Sequence, residues 1–238
     1  MCQSVIIVHS FGHYVVGRWS GIRAEAFSIG VGPVLASRID RHGTRWQLAL
    51  VPFGTRLEFG CDQERIAPLP ARAITALAGP VFNFAFSLAL FAALQLIRDM
   101  AMDPDDIRGL IAPSFESGLD DLRLAIRALL ADVQHIVTDE TSLCNFPGPI
   151  SIGTTYVLAA SQSWVALVII IASVSTMFGV INLFPVPGLD GGDLVFHAWE
   201  FVTGRPPSDE LKGLTSAIGL TMISWFLLFL VGLDIFCP

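Results

Sequence analysis

The chain of 238 residues is 53% hydrophobic and only 15% charged, with a mean hydropathy of +0.64. A soluble domain carries roughly 25% charged residues, and this much apolar surface cannot be hidden in a soluble core of this size. An ordinary soluble enzyme and a disordered chain are excluded, and four cysteines are too few for a disulfide scaffold. The net charge of −7, with 14 basic against 21 acidic residues, speaks against nucleic-acid binding. A polytopic membrane protein remains.

In chain order, the first apolar stretch is residues 1–17. It is short for a span, since sixteen helical residues reach about 24 Å against roughly 30 Å of hydrocarbon. No basic region of a cleavable signal precedes it, and the expectation is that the helix starts upstream of the numbered Met1. Residues 26–60 read as β-structure: strand-like runs at Val34–Ile39 and Arg45–Val51 flank the turn signal Asp40-Arg41-His42-Gly43. Uncharged stretches at 74–97, 164–184 and 214–233 are each long enough to cross a bilayer. Between them, in 98–163, Leu119, Leu122, Ile126, Leu129, Leu130, Val133 and Val137 recur at helical spacing and predict one amphipathic helix. The expected fold is therefore an all-α polytopic membrane protein. It has about four transmembrane helices and a small membrane-associated β-hairpin or sheet after the first, all in one domain over 1–238.

Charge placement sets an expected orientation. Segment 18–73 holds eight arginines and five acids, whereas 98–163 holds four arginines and ten acids. The positive-inside rule puts 18–73 in the cytoplasm and 98–163 outside it. The loop 185–213, with Arg205 and Lys212, returns to the cytoplasm.

Ionisable side chains inside a span are costly and mark function by default. His9 and His13 lie one turn apart on the same face of the first helix. Counted back from Arg18, they sit roughly 13 Å and 7 Å deep. Asp190, in the Pro- and Gly-broken stretch Asn182–Gly192 after the third span, comes to the same side of the membrane. Two imidazoles and a carboxylate make a three-ligand zinc site with a fourth position open. Alone, a His-x-x-x-His pair is more often packing or surface chemistry; its depth and the Asp at matching depth favour Zn2+. His42, His135 and His197 have no partner at ligand spacing and read as solvated or locally bonded loop residues.

These residues resemble the site-2 proteases, intramembrane zinc metalloproteases of the bacterial regulator-of-sigma-E type. The resemblance runs through the His-x-x-x-His stretch, Gly17-Arg18-Trp19-Ser20-Gly21-Ile22, Phe27-Ser28-Ile29-Gly30 and Leu50-Val51-Pro52-Phe53-Gly54. It continues through Ala78-Gly79-Pro80-Val81-Phe82-Asn83, Gly148-Pro149-Ile150-Ser151-Ile152 and the Leu-Asp-Gly element at Asp190. It implies a four-helix core that cleaves transmembrane segments, with His9, His13 and Asp190 as zinc ligands and Asn182 holding substrate or the developing oxyanion. It also implies that the 26–60 region is a membrane-embedded sheet, with Pro52, Phe53 and Gly54 touching substrate. The implied substrates are membrane proteins such as anti-sigma factors or signal-peptide remnants. The implied location is the bacterial inner membrane, with the site toward the cytoplasm. An unwound substrate needs backbone partners in a dry environment, which an edge strand supplies; a purely structural hairpin is the competing reading.

Three features depart from that pattern. The family motif is His-Glu-x-x-His, and Ser10 stands at the Glu position. That Glu is the general base, worth about 10²–10⁴-fold in rate, and a serine hydroxyl cannot replace it. The outer segment 98–163 is too short for the PDZ modules of many relatives and lacks their strand pattern. The position usually read as Gly-Gly-Tyr is Gly54-Thr55-Arg56. Two functions follow: a zinc protease with impaired cleavage, or an inactive relative that binds transmembrane segments. A small transporter would show repeated halves with broken helices, and none is visible.

Overall fold

The computed structural model describes residues 2–60, 66–102, 107–138 and 148–236. Helix α1 (Cys2–Trp19) is followed by strands β1 (Ala24–Ile39) and β2 (Arg45–Phe59). Six helices complete the described chain: α2 (Leu69–Met102), α3 (Ile107–Thr138), α4 (Pro149–Gln162), α5 (Trp164–Asn182), α6 (Asp190–Thr203) and α7 (Asp209–Phe236). Among the described residues, α2, α5 and α7 are long and apolar enough to cross a membrane. The first stretch is indeed a helix, but its 18 residues include His9, His13 and Arg18, and it does not share that apolar character.

The chain divides into two compact units, residues 1–83 with 178–215 and residues 84–177 with 216–238. In the first, α1 stops where Gly21 adopts a left-handed φ of +85° and the Ile22 amide donates back to the Gly17 carbonyl at 2.8 Å. The turn expected at Asp40–Gly43 forms: Asp40 Oδ1 accepts the amides of His42 and Thr44 at 2.8 and 3.0 Å, with Gly43 at φ +87°. Its other oxygen accepts Trp46 Nε1 and Tyr14 OH at 3.2 and 3.3 Å, tying the turn to α1.

The two strands are longer than the sequence runs suggest, and their register is doubled. Ala24–Ile29 pairs with Phe59–Thr55, and Val31–Ile39 pairs with Val51–Arg45, both in the antiparallel sense. Ala26–Ile29 also lies beside Arg45–Leu48, so this run has a partner on each edge. Such a path requires β1 to bend, and it does so between Gly30 (φ +90°) and Gly32 (φ +94°). Phe27 stacks on Trp46 with centroids 4.8 Å apart, and with Tyr14 and Ala24 they form the unit's buried cluster. Val31, Val34, Leu35, Ile39, Leu50 and Val51 are left exposed at the far end of the hairpin.

In the second unit, Phe91, Leu122 and Ala172 form the core, and Ser87 Oγ donates to the Ala172 carbonyl at 2.8 Å. The expected amphipathic helix exists, and it is longer: α3 covers Ile107–Thr138. Described residues of 98–163 are helical throughout apart from short connections, with no strand among them. Asp234 near the end of α7 caps the start of α4, accepting the amides of Gly148 and Ile150 at 3.0 and 2.8 Å and the Ser151 hydroxyl at 2.6 Å.

Candidate metal centre

The first unit brings His9 and His13 of α1 together with Asp190, the first residue of α6. His9 Nε2 lies 3.2 Å from His13 Nε2 and 3.2 Å from Asp190 Oδ2, and His13 Nε2 lies 3.3 Å from Asp190 Oδ1. A tetrahedral centre with bonds of about 2.0–2.1 Å has edges of roughly 3.3–3.4 Å. The observed separations match such edges, and the donor set of two nitrogens and one oxygen suits Zn2+. Asp190 Oδ2 is buried and faces His9 Nε2 at 3.2 Å without a well-formed hydrogen bond, which is costly unless a cation meets it. The residues present fit a zinc ion.

Neighbouring groups aim the imidazoles. His13 Nδ1 donates to the Thr75 carbonyl at 2.7 Å, which leaves the Nε2 lone pair facing Asp190. His9 Nδ1 lies 3.2 Å from the carboxamide of Asn83, whose side chain is fully buried in α2. Asn83 presents Nδ2 to His9 Nδ1; a neutral His9 that ligates through Nε2 carries its proton on Nδ1, and turning the amide over brings Oδ1 there as its acceptor. Phe178 packs edge-on against His9 at 5.1 Å.

Two glycines let α1 and α2 come this close. A Cβ on Gly12 would stand 2.6 Å from the Ala78 carbonyl oxygen and 2.8 Å from Phe82 Cγ. One on Gly79 would stand 2.6 Å from His9 Cε1, 2.8 Å from His13 Cε1 and closer still to His13 Nε2. Small residues permit backbone approach between membrane helices; here the approach also clears room for the imidazoles.

A cavity of about 230 Å3 adjoins the cluster, with His13 and Asp190 at one end and Arg72, Asp193, His197 and Lys212 further out. Arg72 holds Glu200 of α6 with two bonds of 2.9 and 2.6 Å, the bidentate geometry that guanidinium and carboxylate favour. This bond keeps the Glu200 carboxyl below the usual range despite opposing burial. His197 is corrected from the sequence reading: it lies in α6, half-buried, not in a solvated loop. Burial first, then the charges of Arg72 and Lys212, push its pKa down. His42 is in the hairpin turn as expected; His135, expected in a loop, lies instead within helix α3, and its side chain lies outside the described residues.

The remaining expected site residues are placed as follows. Ser10 is buried one residue from His9, and its hydroxyl is tied by a short hydrogen bond to the hydroxyl of Thr55 on β2. Asn182 closes α5 and donates from Nδ2 to the Phe178 carbonyl at 2.8 Å, one turn back on the same helix. The Gly54 carbonyl accepts Gln3 Nε2 at 2.8 Å, and Gly54 takes a left-handed φ of +81°. Pro52 is exposed, and the side chain of Phe53 lies outside the described residues. Sequence reasoning gave no role to Asn83, Thr75, Gly79, Thr55 or Phe178. Gly79 and Asn83 carried a signal, both within the stretch Ala78–Asn83 that bears the family resemblance and Asn83 also as a polar side chain inside an uncharged span.

A model of peptidase family M50 matches residues 2–226. The chain belongs to peptidase family M50. This is the site-2 protease family, so the metalloprotease resemblance stands and Zn2+ is the metal the family implies. A protein of Brucella suis named "Putative zinc metalloprotease" is 27% identical, over 98% of this chain and 92% of its own length. Proteins of the same name from Rhizobium meliloti and Clostridium acetobutylicum are 28% and 20% identical, covering 97% and 98% of this chain and 93% and 95% of their own.

Proposed function

We propose that this M50 chain is an intramembrane metalloprotease of the site-2 type, with His9, His13 and Asp190 holding Zn2+ and cleavage impaired by Ser10. The observation that carries the reading is the triangle of ligand atoms at 3.2–3.3 Å, built from two elements far apart in sequence. Bound zinc supplies a Lewis acid that polarises a peptide carbonyl and acidifies water. Thr75 holds His13 in the ligating tautomer, Asn83 would do the same for His9 with its amide oxygen turned to Nδ1, and the α5–α6 break delivers Asp190. Asn182, bonded to the backbone carbonyl of Phe178, whose ring packs on His9, is the candidate donor to substrate or oxyanion. Residues 55–59 of β2 pair with β1 on one side, and their other edge is where an unwound substrate strand would add. With α1 counted as the fourth span, the substrates are membrane-spanning segments. They include anti-sigma factors and signal-peptide remnants at the cytoplasmic side of a bacterial inner membrane.

A second reading, a relative that captures transmembrane segments without cutting them, is favoured by the state of Ser10. Its hydroxyl is engaged by Thr55, and nothing at this position can accept a proton at neutral pH. Restoring the base with Ser10→Glu and following cleavage of a reconstituted membrane substrate tests this. A gain of about 10²–10⁴-fold is expected. Unchanged cleavage with a full zinc complement would overturn the assignment of position 10 as the missing base.

A further inference from the structure

Helix α6 has two unlike faces. Asp190, Asp193, His197 and Glu200 follow one another at helical spacing and look toward the candidate metal centre, its cavity and Arg72. On the opposite face Val195, Trp199 and Val202 stand at i, i+4 and i+7, and they are 48%, 57% and 82% exposed. Burial within the unit does not account for an apolar stripe at that spacing, and water is a poor neighbour for it.

The chain's connectivity says what covers it. Helix α6 is joined by residues 183–189 to α5 and by residues 204–208 to α7, both apolar enough to cross a bilayer. Short linkers to membrane spans at both ends keep this helix close to the lipid surface. It cannot cross, because its 14 residues reach about 21 Å against roughly 30 Å. Tryptophan is the residue most at home where the two phases meet.

We infer that α6 is an interfacial helix whose Val195–Trp199–Val202 face is embedded in the headgroup and upper acyl region of the bilayer. One rigid rod then carries the metal-ligating aspartate on one side and a lipid anchor on the other. The inference rests on the membrane placement of α5 and α7, not on zinc chemistry, so it stands or falls separately from the proposed reaction.

The test uses the full chain in phospholipid nanodiscs, with Trp199 as sole tryptophan after Trp19, Trp46, Trp164 and Trp225 are replaced by Phe. Emission from Trp199 is expected to be blue-shifted and spared by iodide. Lipids brominated near the headgroup should quench it more strongly than lipids brominated near the chain end. Ready quenching by iodide would overturn the inference, because the face would then be in water. Protection from both quenchers would overturn it equally, because protein would then cover the face. If the multiple replacement fails to fold, Val202→benzoylphenylalanine in the otherwise natural chain keeps the question open to refutation. Photolysis should add the mass of a phospholipid at that residue; a cross-link to a second copy, or no lipid adduct, refutes.

Discussion

Gly79→Ala puts the proposed centre at risk through one methyl group. In α2 the new Cβ would stand 2.6 Å from His9 Cε1 and 2.8 Å from His13 Cε1, where ordinary contacts begin at 3.4 Å. The His9 ring must therefore retreat by roughly 0.8 Å and the His13 ring by more, because its Nε2 is nearer still, several times the ±0.2 Å or so within which metal–ligand distances hold. The substitution does not act by weakening the helix, because alanine is favoured over glycine there by about 0.8–1.0 kcal/mol. Zinc binding should thus fall while thermal stability of the apoprotein holds. Merely disturbing an outer partner of a ligand costs about 10–100-fold in affinity, so a loss of at least that size is expected. Competition against a chromogenic zinc chelator in detergent gives the affinity, and elemental analysis after dialysis gives the metal per chain. Gly213→Ala, where nothing lies within 4 Å of the added atom, is the control. Wild-type zinc affinity in a folded Gly79→Ala protein would show that the two imidazoles facing α2 are not the ligands.

Other outcomes follow from the same geometry. Asn83→Leu keeps the volume but removes the partner of His9 Nδ1, and should lower zinc affinity by about 10–100-fold in the chelator assay while helical circular dichroism is retained. Glu200→Gln tests the Arg72 pair through pH. Because the folded-state pKa of Glu200 is depressed, its contribution should be complete above the unfolded value of about 4.3. It should vanish only as pH falls below that toward the folded value. Denaturant midpoints of the two proteins should converge in that acid window and stay apart at neutral pH. Asp234→Ala removes three hydrogen bonds at the head of α4, so limited proteolysis near Gly148 should quicken with zinc content unchanged.

What the sequence determined by itself was everything governed by local spacing. Three uncharged runs are long enough to span, Asp40–Gly43 is a turn, and His9 and His13 share a face because four residues make roughly one helical turn. Even the link to Asp190 could be read, since counting arginines brought both to one side of the membrane. Tertiary structure decided what stands around those candidate ligands. Asn83 lies 74 residues from His9 and Thr75 lies 62 from His13, and no periodicity records which buried polar group meets which. The same holds for Thr55 on Ser10, 45 residues apart, and for Arg72 on Glu200, 128 apart. It holds too for the doubled register of β1, which depends on glycines bending the strand so that it meets β2 twice. His197 was misread for the same reason: its neighbours are set by packing, and a lone histidine between apolar residues does not name its partners. Burying a polar group is unfavourable until a specific partner is found, and that partner is chosen by the folded chain.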